Sequence, residues 1–147
     1  KDTRRRNQGG NREVVSMIYE KEPVLVLWDA LKHLNDEIPI YKEIMDEDED
    51  STPDSYIYIR SDIANAPLVY GDGKIQVRRA ECDITLVTKG IARNTTDLHY
   101  INKDKVVKAL NVAEIPYEAY NLGYDDSIKS SQYTWSVTIS YICRKEG

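Results

Sequence analysis

Few residues in this 147-residue chain have the types and spacing that chemistry requires. The nearest approach is Glu81-Cys82-Asp83 on a strand-like run, with Asp54 and Asp72 upstream. Metal-dependent nucleases set carboxylates on adjacent strands so that they share a divalent ion. In a strand, Glu81 and Asp83 share the face opposite Cys82, expected to be the solvated one. The lysine that often follows two positions after the second acid is also missing, since Thr85 stands there. Surface carboxylates are the simpler reading.

The remaining reactive residues are as sparse. His33 belongs to a helical pattern, His99 to an expected loop, and Cys82 and Cys143 lie 61 positions apart (143 − 82), so no pair has zinc-ligand spacing. Gly71-Asp72-Gly73-Lys74 resembles a fragment of a phosphate loop but lacks the further glycine spacing and a following helix. A tight turn between strands accounts for it. There is no Gly-x-Ser-x-Gly elbow, and neither cysteine has a histidine partner in sequence. The expectation is therefore a non-enzyme with no catalytic, metal or cofactor residues.

The elements that would position such residues are clearer than the residues themselves. Pro23 suits the first turn of a helix, and Val24, Leu27, Trp28, Leu31 and Leu34 then recur at three- and four-residue steps. This predicts a helix over 23–35, closed by Asp36 and Pro39. Ile38, Ile40 and Ile44 mark a first strand, and Tyr56–Arg60 a second. A long third strand covers Ile75–Lys89, where Ile75 and Val77 face one way and Cys82, Ile84 and Leu86 the other. That phase change near Arg78–Ala80 predicts a bulge, or a strand whose two ends bury opposite faces. A second helix is expected over 102–112, with Asn102 as N-cap and Ile101 and Val106 stapled across it. Pro116 stops it, Tyr117–Leu122 forms a fourth strand, and Gly123–Ser131 a polar loop. Tyr133–Cys143 then alternates: Tyr133, Trp135, Val137, Ile139, Tyr141 and Cys143 on one face, Thr134, Ser136, Thr138 and Ser140 on the other. The predicted fold class is α+β, a mixed, mainly antiparallel sheet of four to five strands flanked by two helices, in the order α-β-β-β-α-β-β.

Composition sets the domain plan. With 16.9 kDa, 41% hydrophobic and 31% charged residues, the chain suits one domain with a large solvated surface. Eleven tyrosines and no phenylalanine put polar tips on most of the aromatic surface, as at interfaces. Residues 1–16 carry +3 (Lys1, Arg4, Arg5, Arg6 and Arg12 against Asp2 and Glu13), so 17–147 carries −8 of the overall −5. The first sixteen residues are read as a flexible basic arm, either an upstream extension or a tail that orders on a partner. Residues 17–147 form the single folded domain. So acidic a body repels phosphate and disfavours general nucleic-acid binding, though it could line a channel through which DNA slides. Buried, reduced thiols are expected for both cysteines, and no segment reaches membrane-spanning length or resembles a signal peptide.

Two charge clusters are candidate interface residues. Asp46, Glu47, Asp48, Glu49 and Asp50 form an unbroken acidic run with three readings: a solvated loop, a dock for a basic partner, or the lining of a DNA conduit. Arg4, Arg5 and Arg6 could reach the acidic surface of a neighbouring subunit. The loop over 124–130, with Tyr124, Asp125 and Asp126, is a third candidate.

Taken in order, the segments resemble the tail-terminator (tail-completion) family of long-tailed bacteriophages. The resemblance is carried by Pro23-Val-Leu-Val-Leu-Trp-Asp-Ala-Leu31, Ile38-Pro-Ile-Tyr41, Tyr56-Ile-Tyr-Ile-Arg60, Cys82-Asp-Ile-Thr-Leu-Val87, the helix Lys103–Leu110 and the strand Tyr133–Ile142. It spans roughly residues 18–143 and lies in pattern and order, with no invariant motif. It implies a structural virion protein, assembled in the bacterial cytoplasm and resident in the tail or neck. Such subunits form a homo-oligomeric, hexameric ring that caps the tail-tube protein, stops its polymerisation and joins the head connector. DNA passes the lumen without specific binding, and no membrane is involved. The family offers no catalytic residues to transfer and does not account for the arginine-rich arm. Another head–tail connector component, a stopper or adaptor, and a small metal-dependent nuclease using Glu81 and Asp83 are the alternatives.

Overall fold

The computed structural model describes residues 17–42, 53–62, 67–70 and 75–144. They form an α+β domain of two helices against a mixed, mainly antiparallel sheet. In chain order the elements are β1 (Ile18–Tyr19), α1 (Pro23–Leu31), β2 (Ile40–Lys42), β3 (Ser55–Asp62) and β4 (Pro67–Tyr70). There follow β5 (Ile75–Lys89), α2 (Leu98–Val112), β6 (Glu118–Asp125) and β7 (Ser130–Arg144).

The sheet is built on β5 and β7, which pair antiparallel in unbroken register from Ile75↔Arg144 to Lys89↔Ser130. On one side β5 carries β3 (Ser55↔Thr88 to Asp62↔Glu81) and, further along, β4. Outside β3 lies β2, parallel to it, with Ile40 opposite Ile57. On its other side β7 carries β6 antiparallel along Ser130–Ser136 and β1 parallel at Ser140 and Tyr141.

The helices cover one face. Ile57 and Ile59 of β3, Cys82, Ile84 and Leu86 of β5, and Trp135, Val137 and Ile139 of β7 are all buried there. They pack with Leu27 and Leu31 of α1 and with Val106 and Leu110 of α2, each 0% exposed. The alternation read along β7 is this face, and Trp135 is its largest side chain. Pro23 opens α1 after an extended Glu22 (ψ 151°), because the missing proline N–H would have had no partner in the first turn. The helix tightens into a 3-10 turn over Lys32–Leu34 and ends before Pro39.

Several boundaries differ from the expected order. Seven strands are paired among the described residues rather than four or five, and three are short, at two, three and four residues. A two-residue β1 is too brief for alternation to register. Pro67 reads as punctuation in sequence, yet it begins β4, where an outer strand tolerates a residue without an N–H. The phase change in β5 is not a bulge against β7; the register shift lies on the β4 side, between Pro67 and Val69. Helix α2 begins four residues earlier than predicted, after Asp97, so Asn102 is an interior residue and not the N-cap. Ile101 is accordingly exposed, while Val106 is buried.

The fourth strand runs on to Asp125, absorbing Gly123, Tyr124 and Asp125 from the expected loop. A register shift between Asn121 and Gly123 hides this continuation from a simple alternation count. Gly123 takes φ 74°, a conformation costly for other residues. No helix among the described residues is long and apolar enough to cross a membrane.

Candidate functional site

Two places in the fold depart from a plain core-and-surface pattern, and the hairpin of β6 and β7 is the more exposed. Every residue of β6 is exposed, on both faces of the strand. Tyr120 (47%), Leu122 (56%), Tyr124 (38%) and, in the turn, Ile128 (46%) present large apolar surface to solvent. Asn121 Nδ2 donates to the Tyr100 hydroxyl of α2 at 3.3 Å.

The turn that closes the hairpin is held locally. Asp125 Oδ1 accepts from the Ser127 hydroxyl at 2.7 Å and from the Ser127 N–H at 2.9 Å, and these bonds draw its pKa below the ordinary aspartate value. Lys129 takes φ 53° and lies 3.7 Å from Asp126. At the other end of the strand, the Tyr120 hydroxyl donates to Glu118 Oε1 at 3.0 Å, which raises the tyrosine's pKa.

Tyr124, Asp125 and Asp126 therefore stand together on this hairpin, the first two on β6 and the third in the turn. The Asp46–Asp50 run and Arg4, Arg5 and Arg6 lie outside the described residues. Sequence reasoning missed Tyr120 and Leu122, whereas Ile128 lies within the candidate loop 124–130. The available signal was a strand-like stretch whose alternation leads to no consistent apolar face.

The second place is a buried polar chain where α2 crosses the ends of β3 and β5. Asn102 Nδ2 donates to Ser55 Oγ at 2.9 Å, Ser55 Oγ meets Thr88 Oγ1 at 2.9 Å, and Thr88 Oγ1 meets His99 Nδ1 at 2.9 Å. All four residues are buried. Ser55 and Thr88 are a cross-strand pair, and α2 presents His99 and Asn102 to them three residues apart, on one helical face. Burial lowers the pKa of His99, and its Nε2 has no hydrogen-bond partner among the described residues.

A cavity of about 530 Å³ adjoins this chain, lined in part by Asp54, Thr88, Lys89, Asp97 and His99. Asp97 Oδ2 accepts the N–H groups of Arg93 (2.8 Å) and Asn94 (3.0 Å), which lowers its pKa and fixes the loop entering α2. Expected in a loop, His99 is instead the second residue of the helix and 2% exposed. His33, expected within the first helix, is exposed in the 3-10 turn that follows it.

The carboxylates weighed for metal chemistry do share a strand face. Asp83 is half-buried opposite Arg60 of β3, Glu81 is exposed opposite Asp62, and Cys82 between them is buried on the helix side. Asp54 lies beyond the far end of the strand, 3.7 Å from Lys89, and Asp72 is outside the described residues. Among the described residues no group of three or more His, Cys, Asp or Glu is placed to hold a metal ion.

Cys82 is buried and lies opposite Val137, whereas Cys143 is opposite Gln76. Six positions along β5 (82 − 76) put their backbones about 20 Å apart, beyond disulfide reach. No protein-family model matches the chain, and no curated protein matches it.

Proposed function

We propose that this chain is a structural assembly protein of the tail-terminator kind: a subunit that closes into a ring on the end of a phage tail tube, stops its growth and presents a surface to the head connector. The observation that carries the reading is β6 with the turn that follows it, the half of the hairpin that presents surface and adds nothing to the core. An eight-residue strand exposed on both faces, with Tyr120, Leu122, Tyr124 and Ile128 outward, costs solvation unless a partner covers it.

A ring works because each subunit carries two different complementary patches that close after a fixed number of copies. Termination then needs one ring face that matches the tube end and another that recruits no more tube protein, a matter of mismatch and not of chemistry. The acidic body, −8 over residues 17–147, suits a wall past which DNA slides.

Light scattering and negative-stain microscopy of the purified protein, alone and mixed with the tube protein of its tail, test the reading. Rings are expected, free or seated on tube ends. A protein that stays monomeric and never associates with tails sinks the proposal, and rings that bind only the connector favour a stopper or adaptor. Incubation with plasmid DNA and magnesium or manganese addresses the nuclease alternative. No cleavage is expected, and cleavage abolished by Asp83→Ala would overturn the structural reading.

A further inference from the structure

Among the described residues, the outer edge of β6 is unlike those of the other outer strands of the sheet. Natural edges are guarded by shortness, proline, charge or an occupied backbone. Strands β1 and β2 are two and three residues long, and β4 begins with Pro67. In β2 the outward N–H is also taken. Ile57 N donates to Pro39 O across the parallel pair, so the Ile40 N–H points away from β3, and it donates to Asn35 Oδ1 at 2.9 Å.

Strand β6 has eight residues, pairs with β7 alone among the described residues, and contains no lysine, arginine or proline. Its six central residues, Ala119–Tyr124, are uncharged, and its two ends are acidic, Glu118 and Asp125. The shift between Asn121 and Gly123 twists this edge, and Asn121 Oδ1 accepts the Gly123 N–H at 3.0 Å, so an added backbone pairs on either side of that point.

An outer strand of this length offers a row of backbone donors and acceptors that only another extended backbone can satisfy together. Charge decides which kind. Full overlap with β6 of a second copy sets Glu118 against Asp125 at both ends if antiparallel, and each acid against itself if parallel. Like charges directly opposite are destabilising, whereas opposite charges there stabilise. We propose that the β6 edge receives an extended segment of a different protein, uncharged through its centre and basic at its ends. The inference rests on the assembly reading above and assigns this edge to a heterologous partner, leaving contacts between copies to other surfaces.

The test uses the full chain, isotope-labelled for amide NMR, and two synthetic peptides blocked at both ends. Each has six alternating threonine and valine residues, flanked in one by pairs of arginines and in the other by pairs of glutamates. The arginine-flanked peptide is expected to shift the amides of Ala119–Tyr124 and slow their hydrogen exchange. It should bind about fivefold more tightly than the glutamate-flanked one at low salt. Glu118→Lys, an exposed change that removes only the Tyr120 contact, should shrink or invert that preference.

Equal binding of the two peptides, or perturbation confined to other strands, overturns the proposal. So does concentration-dependent protection of β6 with no peptide present, which makes a second copy the occupant. Rings formed while neither peptide touches β6 would sink this inference and leave the assembly reading standing. Peptide selectivity in a protein that forms no rings would do the reverse.

Discussion

His99 is the residue whose position most changes what can be expected of this protein. It lies under the first turn of α2 with Nδ1 on Thr88 Oγ1, and burial holds its pKa below the ordinary 6.5. In the unfolded chain the imidazole binds its proton near 6.5, while the folded state resists it, so the unfolded state holds more protons once the pH drops. Stability from a neutral His99 is thus complete above about 6.5 and is lost as pH falls through the depressed folded value. The charged groups that line the adjacent cavity, Asp54, Asp97 and Lys89, come from the approach to β3, the approach to α2 and β5, but burial outweighs them. Urea midpoints measured from pH 7.5 to 5 should fall with acidity in the parent, and His99→Gln should flatten that slope. An unchanged slope would show that His99 is not the titrating group. Its neighbour Asn102 donates to Ser55 Oγ from a 3% exposed position, so Asn102→Ala should cost about 1–3 kcal/mol in the same measurement. The sequence pattern put Asn102 at the N-cap, whereas it is a buried residue inside the helix. The helix start at Asp97 is set by a loop whose backbone bonds run to the aspartate side chain, and no apolar period reports that.

At the scale of elements, β6 and β7 are neighbours with opposite energetics. Trp135 of β7 is 0% exposed within the central cluster, whereas Leu122 of β6 is 56% exposed. Trp135→Ala should therefore cost about 3–5 kcal/mol, through lost burial and a cavity the fixed sheet cannot close. Leu122→Ser should stay within about 0.5 kcal/mol in the isolated subunit. Equilibrium denaturation of the two variants, at concentrations where the protein is monomeric, measures both. A large loss in Leu122→Ser would mean that β6 packs into its own domain. This contrast also explains how far the elements could be read in advance. β7 buries one face along its length, so its period of two was unmistakable, and the helix over 23–31 showed its stripe for the same reason. β6 buries neither face, and its register shift at Leu122 breaks the count, so its last three residues looked like loop. β1, β2 and β4 are fixed by pairing to longer strands, a long-range constraint that two to four residues cannot encode locally.

For the whole molecule, what must be explained is the apolar surface left on the hairpin after the core is complete. Tyr120, Leu122, Tyr124 and Ile128 lie on β6 and its turn, which add nothing to the buried cluster, so removing their side chains should separate folding from assembly. Interfaces concentrate their energy in a few such anchors, and losing one typically costs more than about 1 kcal/mol, or nearly tenfold in affinity. A Leu122→Ser/Ile128→Ser variant is accordingly expected to unfold at the parental midpoint yet associate at least about tenfold more weakly with its partner, tail-tube protein on the assembly reading. Sedimentation velocity over a concentration series, read beside the denaturation curves, makes the separation visible. If the variant folds and associates as the parent does, the hairpin is not the contact surface. The assembly reading would then have to rest on the segments beyond the described residues, the Arg4–Arg6 arm and the Asp46–Asp50 run. Charge gives that outcome its own discriminator, since contacts made by a basic arm on an acidic body weaken steeply between low and physiological salt, whereas apolar contacts do not. Association that survives added salt in the parent and disappears in the double variant is the result the hairpin requires.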